Sequence, residues 1–238
     1  MTQQEIFNFH KVENISWSDF IESSENYDAI ACLMKWPAWT RNGVILFGGA
    51  GTGKTHLAAL WAQTANAVYI LNEALNHDPR DLFAADCNFV IDNFDNFLDL
   101  SYGRQDWIFH FFNIAHEKNR YFLILSKSNP ISWDIELNDL KSRVLALSAV
   151  EIQNPGDELL FKIAKKIMRD LELTVPDEVL SHLLYVIDRN VASVAKVLRT
   201  LDKLSLQQKK SITLSFAKKY LNREERIKSP NFSGELQM

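Results

Sequence analysis

The sequence predicts an α/β fold, a parallel β-sheet core covered by helices, with a small helical domain behind it. Three observations predict it. Four short stretches, 44–47, 67–71, 89–91 and 121–125, are continuously apolar, as strands buried on both faces are, whereas a half-exposed sheet alternates. Segments of helical spacing separate them, which suits the crossovers that parallel strands require. From Pro155 onward the pattern becomes wholly helical.

The first strand leads into the most informative stretch. Val44-Ile-Leu-Phe47 is followed by Gly48-Gly-Ala-Gly-Thr-Gly-Lys-Thr55 and then by His56-Leu-Ala-Ala-Leu-Trp61 at helical spacing. Strand, glycine loop and helix in that order, with G-x-x-x-x-G-K-[ST] across the junction, form a phosphate-binding loop. Its glycines let backbone N–H groups turn toward a phosphate, and the following helix adds the positive end of its dipole. Gly48, Gly49, Ala50, Gly51, Thr52, Gly53, Lys54, Thr55 and His56 are therefore the expected nucleotide-binding set. Lys54 is expected on the β- and γ-phosphates and the Thr55 hydroxyl on Mg²⁺.

Bulk properties set the frame. At 238 residues, 47% apolar and 24% charged, the chain has the size and composition of an α/β domain with a smaller companion. No apolar run approaches the roughly 20 residues that span a bilayer, and the N-terminus lacks a basic-then-apolar leader. Cys32 and Cys87 lie far apart in no metal or redox spacing, so buried, reduced thiols and a cytoplasmic setting are expected. Charge is unevenly spread: residues 1–160 carry −10 and residues 161–228 carry +7. Scattered acids among the lysines favour solvated helix faces over a dedicated nucleic-acid surface, so any DNA contact is expected to be weak or indirect.

In chain order, 27–36 reads as a helix with Tyr27, Ile30, Ala31 and Met34 inward, ended by Pro37. The loop before it is placed to border an adenine. Strand 89–91 delivers Asp92 at its carboxyl end, where ligands bind in open parallel sheets. An acid there can orient Mg²⁺ and its waters, so Thr55 and Asp92 form the expected metal pair. The next position, Asn93, is where an ATPase commonly has a second acid to polarise water. An amide can position water but cannot take its proton, and Asp95 lies two residues on, in a turn. Slow hydrolysis follows. Helix 107–115 is apolar nearly all round, with His110 read as packed rather than as a ligand. The strand 121–125 ends in Ser126-Lys-Ser-Asn-Pro130, where a polar residue can touch the γ-phosphate or the water, and 137–143 forms a short polar helix containing Arg143.

Beyond a boundary at 154–157, helices are expected over 157–170, from Pro176, over 190–206 and to Leu221. The organisation expected is therefore an extended peptide at 1–14, an α/β domain at 15–154, a helical domain at 155–222 and a charged, disordered tail at 223–238.

This order of motifs resembles AAA+ ATPases and, more narrowly, the DnaA/Hda family, over residues 15–221. The marks are the phosphate loop to Leu57, Ile91-Asp-Asn-Phe-Asp95, the strand tip ending Asn129-Pro130, Leu137-Asn-Asp-Leu-Lys-Ser-Arg143, Leu173-Thr-Val-Pro-Asp-Glu-Val-Leu180 and Ser211-Ile-Thr-Leu214. The resemblance implies an AAA+ core with a helical lid and bound ADP or ATP with Mg²⁺. It puts Arg143 at the arginine finger, which acts across a subunit interface, and Ser128 at the first sensor, where relatives carry an acid. The family's lid-sensor Asn-Val-Arg-Glu-Leu becomes Asn190-Val-Ala-Ser-Val194 here, and Ala192 cannot contact a phosphate. Together with Asn93 this lowers the expected turnover of its own ATP.

DnaA carries a C-terminal DNA-reading domain, for which the 17 residues after Leu221 are too few, so the short, Hda-type member is the expectation. Such members attach to the DNA polymerase III sliding clamp (the β subunit) through an N-terminal peptide and stimulate hydrolysis of DnaA-bound ATP, which prevents re-initiation. Gln3-Gln-Glu-Ile-Phe7 sits where that peptide belongs, with Gln3 at a pocket rim and Ile6 and Phe7 inside it. The expected partners are DnaA and the clamp, with no membrane. Arginine-finger contacts can also be homotypic, which leaves a homodimer open. The competing reading is a nucleotide-dependent adaptor or loader that recruits DnaA or another factor without triggering hydrolysis. A small-molecule kinase is disfavoured, because no acceptor-binding segment is evident.

Overall fold

The computed structural model describes residues 16–98 and 103–228, and the chain divides into two compact units, Met1–Asn154 and Pro155–Met238. Gln3, Ile6 and Phe7 lie outside the described residues, as does the chain after Lys228.

The first unit is built on five parallel strands: β1 (Gly43–Phe47), β2 (Ala67–Ile70), β3 (Asn88–Ile91), β4 (Phe122–Ser126) and β5 (Ser148–Glu151). Their order is β2-β3-β4-β1-β5, with every pairing parallel. Every residue of β1 and β4 is buried, the physical consequence of two apolar faces on central strands. Side-chain alternation divides β1 between two cores. Ile45 joins Phe89, Ile91, Ile108, Phe111 and Ile124 on one face, while Val44 and Leu46 join Leu57, Leu60, Trp61, Val90 and Leu125 on the other. Fully burying each such side chain contributes about 1.5–3 kcal/mol. The helices are α1 (Tyr27–Met34), α2 (Lys54–Ala65), α3 (Pro79–Leu82), α4 (Phe94–Leu98), α5 (Gly103–Glu117) and α6 (Asn138–Leu145).

Four readings need correction. The strand β5 was not expected: Ser-Ala-Val-Glu carries one branched apolar residue, and at the sheet edge only Val150 is half-buried. In α1 the buried face is Ala29, Ile30 and Leu33, while Tyr27 and Met34 are 57% and 61% exposed. This helix is apolar on most sides, so its sequence does not fix which side faces the sheet. His110 is exposed rather than packed, because Trp107, Ile108, Phe111, Phe112 and Ala115 define the inward stripe of α5. Cys32 is only half-buried, whereas Cys87 is buried, and both are free.

Among the described residues the second unit contains four helices, α7 (Asp157–Asp170), α8 (Asp177–Val186), α9 (Val191–Gln208) and α10 (Leu214–Lys228). The last runs past Leu221 to Lys228, into the span expected to be a tail. Leu160, Ala164, Leu180, Leu183, Leu198, Leu201 and Ala217 form its core. Asn190 caps α9 by accepting the Ser193 N–H at 2.8 Å. Just before it, Arg189 grips both Asp157 oxygens at 2.5 and 2.7 Å. Both side chains are solvent-exposed, so this pair contributes at most about 1 kcal/mol. Among the described residues no helix is long and apolar enough to cross a membrane.

Candidate nucleotide-binding site

The carboxyl ends of β1, β3 and β4 bring three polar segments together. After Phe47 the chain must turn sharply while staying in register with its neighbours. Gly48 donates its N–H to the Ser126 carbonyl at 3.2 Å at a φ of +150°. A Cβ there would meet the Ile152 carbonyl oxygen at 2.2 Å, so no other residue fits. Gly53, at φ +99°, caps α2 without any side-chain hydrogen bond. A first turn with no side-chain cap can offer its N–H groups to an anion.

Lys54 spans the loop. Its Nζ donates to the carbonyls of Gly48 at 2.6 Å and Gly49 at 2.7 Å, and to Thr52 Oγ1 at 3.3 Å. Thr52 in turn donates to Gly49 at 3.1 Å. Burial lowers the Lys54 pKa and Lys127 repels it further, with Asp92 and Asp95 opposing both. On α2, Thr55 Oγ1 donates to Asp92 Oδ2 at 3.1 Å, so the two residues expected to ligate Mg²⁺ meet across 37 positions of sequence. Among the described residues no group of three or more His, Cys, Asp or Glu could hold a metal by itself. Mg²⁺ carried by a nucleotide needs only one or two protein oxygens beside the phosphates and waters. The curved loop, the lysine and the Thr55–Asp92 pair therefore fit Mg²⁺-nucleotide.

Asn93 is exposed and left-handed, at φ +52°, a conformation that asparagine tolerates better than most residues. Its N–H donates to Asp92 Oδ1 at 2.7 Å, which orients the carboxylate. Asp95 plays a part that sequence reasoning missed. Rather than lying in a turn it opens α4, and its carboxylate gathers the β4 tip. It accepts from the Ser126 hydroxyl at 2.9 Å, the Lys127 N–H at 2.7 Å, the Ser128 N–H at 3.3 Å and the Ser128 hydroxyl at 2.5 Å. Partial burial pushes the Asp95 pKa up, but the hydrogen bonds from Ser128, Lys127 and Ser126 outweigh it and hold the carboxyl below its ordinary value. Ser128, the expected sensor, is consumed in this clasp, because its oxygen also accepts the Trp133 indole N–H at 2.9 Å. No single-segment motif signals the clasp, since its parts lie 31 to 33 residues apart.

An apolar shoulder flanks the loop. Phe20 meets the His56 ring edge-on at 5.3 Å and would lie 3.9 Å from a Cβ on Gly53. Trp17 fastens this segment to α2 through its indole N–H to Thr64 Oγ1 at 3.2 Å. The placement suits a flat base beside the loop, and Phe20 carries no periodic signal that would reveal it.

Arg143 is elsewhere. Exposed near the end of α6, its guanidinium lies 5.1 Å over the Phe109 ring and makes no salt bridge among the described residues. It lines a cavity of about 590 Å³ with Arg41, Asn42, Phe112 and Phe122. Asn42 and Phe122 mark the amino ends of β1 and β4, whereas the phosphate loop follows their carboxyl ends. Five residues of strand separate those ends by about 16 Å.

Comparison with known proteins agrees with this architecture. A family profile described as "Hda, lid domain" matches residues 160–221. The chromosomal replication initiator protein DnaA of Flavobacterium psychrophilum is 27% identical over 240 residues, covering 88% of this chain and 48% of that protein. The chain thus spans about half the length of the curated relatives it matches. Domain III of the Thermotoga maritima DnaA superposes with a TM-score of 0.72 at 22% identity, covering 85% of this chain and 93% of that one. AMPPCP-bound DnaA from Aquifex aeolicus gives 0.68 at 21% identity, covering 88% and 68%. These structures establish an AAA+ fold. With the Hda lid match over residues 160–221 and DnaA-like sequence across most of its length, the chain is similar to the DnaA/Hda family of AAA+ proteins.

Proposed function

We propose that this protein is a nucleotide-binding regulator of bacterial replication initiation, one that stimulates hydrolysis of ATP held by DnaA. The observation that carries the reading is the separation of its two functional ends. The phosphate loop can hold a nucleotide at the carboxyl edge of the sheet, while Arg143, exposed and in no salt bridge among the described residues, stands at the opposite edge. An arginine so placed is suited to a partner's nucleotide rather than its own. Residues 15–154 then act as the nucleotide domain, 155–222 as the lid, and 1–14 as a clamp-binding peptide led by Gln3, Ile6 and Phe7.

Each residue has a defined task. Gly48 to Gly53 and the first turn of α2 would surround the phosphates, Lys54 would offset their charge, and Thr55 and Asp92 would hold Mg²⁺, which would supply further neutralisation of phosphate charge. Neither Asn93 nor the saturated Asp95 can accept a proton from water, so the protein's own turnover is slow. Arg143 stabilises charge on the phosphates of DnaA-bound ATP, an effect worth about 10³- to 10⁵-fold when an arginine is supplied in trans.

The test measures hydrolysis of DnaA-bound ATP in the presence of clamp-loaded DNA. The intact chain should stimulate it, while deletion of residues 1–8 and Arg143→Ala should each abolish the stimulation. Binding of DnaA without stimulation by the intact chain would favour an adaptor that recruits DnaA instead.

A further inference from the structure

Arg143 is carried by a helix that needs outside support to hold its position. At 8 residues, α6 is shorter than the roughly 12–15 at which a helix persists alone in water. Its N-cap residue, Leu137, has no side-chain oxygen to fasten the first turn. Leu140 and Val144 are buried, which decides the inward side of α6. Where the helix begins is set by bonds to the chain that enters it.

One side chain from another element makes those bonds. Gln105, near the start of α5, is only 6% exposed. Its Oε1 accepts the N–H groups of Glu136 at 3.0 Å and Leu137 at 3.1 Å, and its Nε2 donates to the Asp134 carbonyl at 3.4 Å. Two converging N–H groups require an acceptor, so chemistry sets the orientation of the amide: its NH₂ end would oppose them. Sheltered from water, the same N–H groups would be left unpaired by an apolar residue at this position. One turn further along α5, at i+4 and therefore on the same face, Phe109 lies under the Arg143 guanidinium at 5.1 Å. A single face of α5 thus meets α6 twice, with an amide at its entry and an aromatic ring at its arginine. Leu137 and Arg143 are separated by about 9 Å along the helix axis, and α5 supports both.

We infer that Gln105 is a positioning residue for Arg143, and that the Gln105–Phe109 face of α5 sets the reach of the guanidinium toward a partner's nucleotide. The inference rests on the proposed action of Arg143 on DnaA-bound ATP. Gln105 fixes where α6 starts, and Phe109 supports the cation from below. Neither neutralises its charge, so it stays available to a phosphate.

The experiment uses the full-length protein and two readouts. The first is hydrolysis of DnaA-bound ATP with clamp-loaded DNA, measured against the concentration of this protein. Gln105→Met, of similar length but without hydrogen bonds, should lower the maximal stimulated rate by about 10- to 100-fold, the scale of misplacing a reacting group by an ångström. The concentration giving half-maximal stimulation should change by less than about threefold, and the protein's own affinity for ATP should stay as it is. Gln105→Glu keeps an acceptor for both N–H groups and should retain most of the rate. Phe109→Leu should cost about two- to fivefold, the scale of an exposed cation–π contact. Gln105→Asn, which withdraws the amide by one methylene, replaces Gln105→Met if that variant fails to fold. The second readout needs no DnaA: the NMR signal of the Arg143 Nε–H, assigned by its loss in Arg143→Lys and shifted by the Phe109 ring. Gln105→Met should move it toward the position of a free arginine, and Gln105→Glu should leave it in place. A loss confined to the half-maximal concentration, an equal fall in rate for Gln105→Glu, or an unmoved Arg143 signal in Gln105→Met would overturn the inference. If the intact chain does not stimulate hydrolysis, the proposed function falls, and the NMR signal alone decides whether Gln105 positions Arg143.

Discussion

The two ends of the parallel sheet solve different problems. At the carboxyl end polar groups are saturated: Lys54 has three loop acceptors, Asp92 has two donors and Asp95 has four. At the amino end Arg143 rests on Phe109 beside an open cavity, with no ion pair among the described residues. These bonds hold the side chains at the loop, and a nucleotide would draw the three Lys54 donors from loop oxygens to phosphate oxygens. An exposed arginine on an aromatic ring costs little to move onto another molecule. On the proposed function, holding a nucleotide and acting on one are divided between opposite edges of the sheet.

Substitutions can break that division. The largest effect is expected from Arg143→Ala, which should lower stimulated hydrolysis of DnaA-bound ATP by about 10³-fold or more while leaving the protein's own affinity for ATP unchanged. A fall in that affinity would mean the two ends are not independent. Lys54→Ala comes next, and titration should show nucleotide affinity reduced by about 10- to 100-fold, the loss of charge-assisted bonds. Retention of tight binding would argue against the phosphate-loop role.

Asp95→Asn should act on stability. It replaces a carboxylate that accepts four hydrogen bonds, at a cost of about 1–3 kcal/mol by urea unfolding at pH 7. The sign of its pH dependence follows from the lowered pKa. The stabilisation is present above the ordinary carboxylate pKa of about 4 and is lost as the pH falls through the folded-state value. The gap between wild type and variant should therefore narrow in acid, and a gap constant from pH 7 to 3 would show that the carboxylate's charge is not what matters. The smallest effect belongs to Tyr27→Ala. With a side chain mostly in solvent, it should shift unfolding by no more than about 0.5 kcal/mol, whereas a core role would cost several times more.

The sequence by itself determined the parallel sheet core. Strands β1 to β4 were legible because each is an unbroken apolar run, and chain order through a glycine loop locates Lys54 and Thr55 without any tertiary information. The helices of the second unit were legible for a similar reason, their apolar residues recurring at helical spacing. Only the tertiary structure decided β5, whose Ser-Ala-Val-Glu segment becomes a strand because β1 offers it an edge. It also decided the phase of α1, where apolar residues on most sides leave the choice to the sheet they pack against. The Asp95 clasp and the engagement of Ser128 belong to the same class. Each depends on neighbouring strand ends meeting in space, and hydrogen bonds between segments some thirty or more residues apart leave no periodic trace in the chain that makes them.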